Sequence, residues 1–155
     1  MTRINSAINP FFLTDEHLLA EHREIKRICD NYYKRKLKNK FDDIPNKFTL
    51  GTGHVLFFID KPTFTLARYK ALHNECKERG FNTEDFSSNW NIYNNQFKDV
   101  IYIPTIEDEN ILKERIKNRI HDTPKQYWHY YGAAITKENA CLKINQNILW
   151  KKELV

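Results

Sequence analysis

Asp15-Glu16-His17-Leu18-Leu19-Ala20-Glu21-His22-Arg23-Glu24, continued by Ile25-Lys26-Arg27-Ile28-Cys29-Asp30-Asn31-Tyr32-Tyr33-Lys34, carries the period of a helix. At about 100° per residue, Leu18, Ile25, Ile28, Cys29, Tyr32 and Tyr33 fall on one broad apolar stripe. Glu16, Ala20, Arg23, Glu24, Arg27, Asn31 and Lys34 fall on the opposite face, where Glu24 is the strongest carboxylate candidate among several cations. Thr14 is suited to N-cap this segment, so the pattern predicts one helix from Asp15 to about Leu37.

Two further helices read the same way. One follows Asp60-Lys61-Pro62, carries Phe64, Leu66, Ala67, Ala71, Leu72 and Cys76, and stops at Gly80, a residue type favoured just past a helix end. The other follows Pro104-Thr105, carries Ile111, Leu112, Ile116 and Ile120, and ends before Asp122-Thr123-Pro124. Val55-Leu56-Phe57-Phe58-Ile59 is an apolar run too short to assign to helix or strand, and reads as core. Residues 82–103, rich in Asn and aromatics, read as an irregular connection. The expected fold is all-α: three main helices in a single domain over residues 1–136, with a C-terminal extension at 137–155. In that extension Leu142, Ile144, Ile148, Leu149 and Trp150 could pack back as a strand or short helix.

The chain has 155 residues, enough for one domain with a sizeable core. Its formal charge of +5 permits a polyanionic partner without requiring one. Aromatic residues make up 14% of the chain, more than a small core needs, so some rings are expected at the surface. Cys29, Cys76 and Cys141 are widely spaced and form no CxxC pair, which reads as reduced thiols. No apolar stretch approaches the roughly 20 residues of a membrane span. No signal-type segment opens the sequence, and the six histidines lack metal-ligand spacing. The expectation is a cytoplasmic protein with no membrane, metal or cofactor requirement.

The amino terminus offers a nucleophile. Thr2 is small, so Met1 should be removed, leaving a free α-amine. Such an amine has an ordinary pKa of about 7.7–8.0, far below lysine, and Arg3 beside it would lower this further by like-charge repulsion. A neutral amine near a carboxylate suits Schiff-base chemistry on a sugar carbon.

Several segments, in order, resemble the pyrimidine-dimer DNA glycosylase and abasic-site lyase family of ultraviolet-damage repair (the phage endonuclease V type). They are Thr2-Arg3-Ile4-Asn5, the helix from Asp15 to Glu24, Gly51-Thr52-Gly53-His54-Val55 and Phe57-Phe58-Ile59-Asp60-Lys61. Glu75-Cys76-Lys77-Glu78-Arg79-Gly80-Phe81-Asn82 and Tyr130-Tyr131-Gly132 continue the series. The resemblance implies that the Thr2 amine attacks C1′ of a deoxyribose, with Glu24 stabilising the positive charge that develops on the sugar. It also implies DNA contacts from Arg3, Glu16, Arg23, Arg27, Arg115 and Arg119, and an aromatic recognition stretch containing Tyr127, Trp128 and His129. Lys34, Arg35, Lys36, Lys38 and Lys40 would add diffuse attraction to DNA. His54, beside two glycines, reads as a structural hydrogen-bonding residue in preference to a catalytic one.

The expected partner is double-stranded damaged DNA, bound by a monomer in a nucleoid or a virus-infected cell. Three departures bear on lesion choice. Glu16 stands where the family has Gln and adds negative charge to the active face; His129 stands where the phage enzyme has Lys; Tyr127-Trp128 reverses the family order. The alternatives are a glycosylase and lyase of the same fold for another damaged base, and a non-catalytic basic DNA-binding module. The presence of both Thr2 and Glu24 argues against the module.

Overall fold

Thr14 starts the first helix as expected: its side chain accepts the His17 N–H, and Asp15 and Glu16 sit in the first turn, where negative charge is favoured. The computed structural model describes residues 3–151. The long helix expected from Asp15 is divided into α1 (Asp15–Glu24) and α2 (Arg27–Leu37). At residues 25–26 the ladder tightens to three-residue bonds, Ile28 N to Ile25 O at 3.1 Å and Cys29 N to Lys26 O at 3.0 Å. Neither Pro nor Gly marks this point. Tertiary contacts do, since Ile25 is wholly buried and the Lys26 ammonium lies 3.7 Å from the centre of the Phe86 ring.

The 55–59 run is helical: α3 spans Gly53–Phe58 and buries Phe57 and Phe58. In α4 (Pro62–Glu78), Pro62 occupies the first turn, where its missing N–H costs nothing. The helix closes in a Schellman motif, with Gly80 at φ +81, Gly80 N bonded to Lys77 O and Phe81 N to Cys76 O. Residues 87–93 of the irregular connection form a 3₁₀ helix that buries Trp90 and Tyr93. Thr105 and Asp108 form a reciprocal capping box at the start of α5 (Ile106–Asp122).

The fold is mostly helical, as expected, and the described residues add one small two-stranded sheet after α5. Tyr127–Tyr130 (β1) and Ala133–Thr136 (β2) pair antiparallel, with Trp128 opposite Ile135 and Tyr130 opposite Ala133. Tyr131 and Gly132 both have positive φ, +51 and +79, which makes the two-residue turn that matches strand twist. The turn is docked on α1. Asp15 accepts from Tyr131 N at 3.0 Å, Gly132 N at 2.9 Å and Arg79 Nη1 at 2.9 Å. The Arg79 guanidinium in turn lies 4.7 and 4.8 Å from the Tyr130 and Tyr131 rings. A sixth helix, α6 (Lys137–Asn145), follows without a loop and buries Ala140 and Ile144 against α5. Beyond it, Trp150 N bonds Ala7 O at 3.0 Å.

The core joins α1, α2 and α4 to the amino-terminal segment, where Ile4, Ala7, Ile8 and Leu13 are wholly buried. Of the predicted stripe, Leu18, Ile25, Ile28, Cys29 and Tyr32 are buried, whereas Tyr33 is 47% exposed. Phe11, Tyr127 and Tyr131 are also exposed, so part of the aromatic surplus does lie outside the core. All three cysteines are free; burial pushes the Cys29 thiol up to about 12 and the Cys76 thiol up to about 11. Among the described residues, no helix is long and apolar enough to cross a membrane.

Candidate active site

On α1, His17, Ala20, Glu21 and Glu24 are spaced i, i+3, i+4 and i+7 and share one face, with Arg23 at its edge. That face lines a cavity of about 770 Å³. Arg3 and Asn5 line it from the amino-terminal segment, and Arg115, Ile116, Arg119 and Asp122 from α5. Ala20 is the small residue on the α1 wall.

The two facing carboxylates of α1 differ in what holds them. Glu21 is spent on Arg68, which donates from Nε to Oε2 at 2.8 Å and from Nη2 to Oε1 at 2.9 Å; the two side chains are 1% and 0% exposed. Glu24 has no such clamp. Its Oε1 lies 4.0 Å from Arg27 Nη1, at the limit of an ion pair, and its side chain is 17% exposed. With Glu21 neutralised by Arg68, the four lining arginines, Arg3, Arg23, Arg115 and Arg119, outnumber the two remaining carboxylates, Glu24 and Asp122. A cavity with this surplus of cations has the charge that suits phosphate, with Glu24 and Asp122 as its remaining carboxylates.

Of these cations Arg23 and Arg119 are exposed, whereas Arg115 is half-buried. Its Nη2 donates to Asn5 Oδ1 at 2.8 Å, while its buried Nε has no hydrogen-bond partner. Burial brings its pKa down to about 10, with Glu21 opposing and Arg3 adding to the fall. His17 is held by Thr14 Oγ1 at 2.7 Å from Nδ1 and stacks on Trp128 with ring centres 5.0 Å apart. Burial lowers its pKa to about 4, so the ring is neutral at ordinary pH.

The family model for the pyrimidine dimer DNA glycosylases matches residues 1–89, more than half of the chain. The chain belongs to this family. The matched span contains the Arg3, Asn5 and α1 walls of the cavity, whereas the α5 wall lies beyond it. The chain is thus a DNA glycosylase of a DNA-repair family, and its substrate is DNA.

Within this glycosylase, Arg3, Arg23, Glu24, Arg115 and Arg119 come together around one cavity, and Arg27 stands beside Glu24 without lining it. Thr2 lies outside the described residues. Glu16 is not part of the cavity wall: its carboxylate accepts from Lys125 Nζ at 2.7 Å and from His129 N at 2.9 Å, and lies 3.1 Å from His129 Nδ1. Burial alone would raise the pKa of Glu16, but the Lys125 and His129 hydrogen bonds outweigh it and hold the acid at about 2. The negative charge expected on the active face is therefore spent in fixing the hairpin. Trp128 needs a similar correction. Only 4% exposed, it packs between His17 and the Lys125 ammonium, 4.0 Å away, and offers no free face for a base. Tyr127 is 56% exposed on the same strand, and His129 is exposed beside Glu16. Sequence reasoning did not name Asn5, Ala20, Glu21, Ile116 or Asp122 as cavity walls. The i−3 and i−4 offsets of Glu21 and Ala20 from Glu24, and the Arg115 spacing on α5, were the available signal.

Proposed function

We propose that this glycosylase excises cyclobutane pyrimidine dimers from duplex DNA and then cleaves the strand as an abasic-site lyase. The Thr2 α-amine attacks C1′ of the sugar carrying the 5′ pyrimidine, and the glycosidic C–N bond breaks with its electron pair leaving on the base. The amine then loses its proton and the C1′–O4′ bond breaks with a proton passing to O4′, which opens the sugar to an imine. Protonated at nitrogen, this imine acidifies C2′–H, whose removal expels the 3′ phosphate by β-elimination. Glu24 stabilises the cationic sugar and assists the proton transfers. Arg3, Arg23, Arg115 and Arg119 hold the flanking phosphates. The observation that carries this reading is that Arg3, the residue next to Thr2, lines the same cavity as Glu24. A dimer also suits such a site, because its weakened stacking lowers the few-kcal/mol cost of displacing a nucleotide.

The test incubates the protein with matched duplexes carrying a thymine dimer, an abasic site or no lesion, with borohydride to trap the imine. Cleavage and a covalent adduct are expected on the first two and not on the third. Acetylating the amino terminus should abolish the adduct while leaving DNA binding largely intact. Adduct on the abasic duplex with no action on the dimer would keep the lyase and move the glycosylase to another damaged base.

A further inference from the structure

His54 is a buried, hydrogen-bonded imidazole that the proposed chemistry leaves unused. It sits in the first turn of α3, after a loop in which Gly51 has φ +76. A Cβ on Gly53 would lie 2.8 Å from Thr49 Cγ2, so glycine there lets the loop close on itself. Closure brings His54 Nδ1 to 2.9 Å from the Thr49 carbonyl oxygen. The other ring nitrogen, Nε2, accepts the Ile4 backbone N–H at 2.9 Å. One tautomer satisfies both bonds: Nδ1 carries the proton and Nε2 accepts. The ring is 2% exposed, with Phe48 and Phe58 edge-on at 5.5 and 5.4 Å.

We propose that His54 is a positioning residue for the attacking amine, fixing the Ile4 amide and through it the two residues that lead back to Thr2; this rests on the reading of Thr2 given above. Two residues span at most about 7 Å, so the place of the Ile4 amide bounds where the amine can reach. Other contacts set the path of the segment further on. Arg115 holds the Asn5 side chain, Tyr102 meets Ser6 Oγ at 3.2 Å, and Arg68 Nη1 donates to Ile8 O. Of these anchors the His54 bond is the nearest to Thr2. Burial, with Arg115 adding to it, keeps the imidazole pKa at about 4, so the acceptor nitrogen stays free of a proton at working pH.

Two substitutions separate this role from that of a loop anchor. In His54→Gln the longer side chain still brings an acceptor oxygen to the Ile4 N–H. In His54→Asn the amide can satisfy Thr49 but falls short of Ile4. Single-turnover borohydride trapping on a saturating abasic duplex is compared with affinity for a duplex bearing an uncleavable abasic analogue. Misplacing a reacting group by about 1 Å can cost about 10²-fold, so His54→Asn should trap at least about tenfold more slowly with affinity within about threefold, and His54→Gln should stay within about threefold in both. Equal loss in the two variants, or none in His54→Asn, overturns the proposal. If the Asn variant does not fold, a full-length chain joined at Cys29 with an ester replacing the Ile4 amide removes the donor alone. It should show the same slow trapping, and a wild-type rate overturns the proposal. Acetylated wild-type protein that still traps would refute the Thr2 reading itself, which separates that failure from this one.

Discussion

Glu24 and Glu21 lie on one helix face and line one cavity, yet their partners assign them opposite work. Glu21 has both oxygens occupied by a buried arginine, which makes it a structural anion. Glu24, 4.0 Å from Arg27, keeps a carboxylate available to the cavity. Glu24→Gln should therefore cost about 10²–10³ in single-turnover excision, as loss of an electrostatic stabiliser typically does. The melting temperature should hold, and affinity for DNA should be equal or higher because a charge that repels phosphate is gone. A variant within a few-fold of wild type would remove Glu24 from the chemistry. Glu21→Ala should behave in the opposite way. It strands the wholly buried Arg68 cation, and breaking such a pair from one side typically costs about 3–5 kcal/mol. Denaturant titration should show that loss, and an unchanged midpoint would contradict the structural role.

Among the elements, α5 carries a prediction about binding. Arg115 and Arg119 are one turn apart and both line the cavity. Each replaced by Ala should reduce the slope of log K against log salt by about one and weaken lesion-bearing and undamaged duplex alike. Arg115→Ala should also lower stability, since it releases Asn5; a flat salt profile in wild type would remove the electrostatic account. The ends of α4 and α5 were legible because Pro62, Gly80, Thr105 and Pro124 act locally. The interruption of the first helix was not, because Ile25 and Lys26 keep helical angles and the cause is tertiary, Phe86 lying 60 residues on. The hairpin escaped for two reasons. Its strands are four residues each, and Tyr131 occupies a turn position usually marked by Asn or Gly. For the cavity, the resemblance supplied Arg3, Arg23, Glu24, Arg115 and Arg119. It could not reveal that Glu21 is neutralised by Arg68 or that Glu16 is tied to the hairpin, because both depend on partners at least 47 residues away.

For the molecule as a whole, three imidazoles held neutral in the fold set the acid limit of stability. His17, His22 and His54 are each held at about 4, with burial the largest cause in each case. For His22, His73 at 3.0 Å and Lys26 add to the fall, while Asp85 opposes it. In the unfolded chain each returns to about 6.5. Between these values the unfolded state binds more protons, so stability rises with pH across the window and is fully present above about 6.5. As pH falls from 6.5 to 4, up to three protons are taken up on unfolding, a slope of at most about 4 kcal/mol per pH unit. That is large against the roughly 5–15 kcal/mol by which a domain is stable. Glu16 adds a second loss lower down, because an acid held at about 2 stabilises the fold above its ordinary 4.5 and loses that contribution as pH drops toward 2. Urea midpoints measured from pH 7.5 down to pH 5 should fall progressively below pH 6.5, well before carboxylates titrate. His54→Gln, which cannot take up a proton, should reduce the slope by about one proton. A midpoint that stays constant from pH 7.5 to 5 would mean that these rings are not held neutral, and the hydrogen bond from Ile4 to His54 would lose its acceptor.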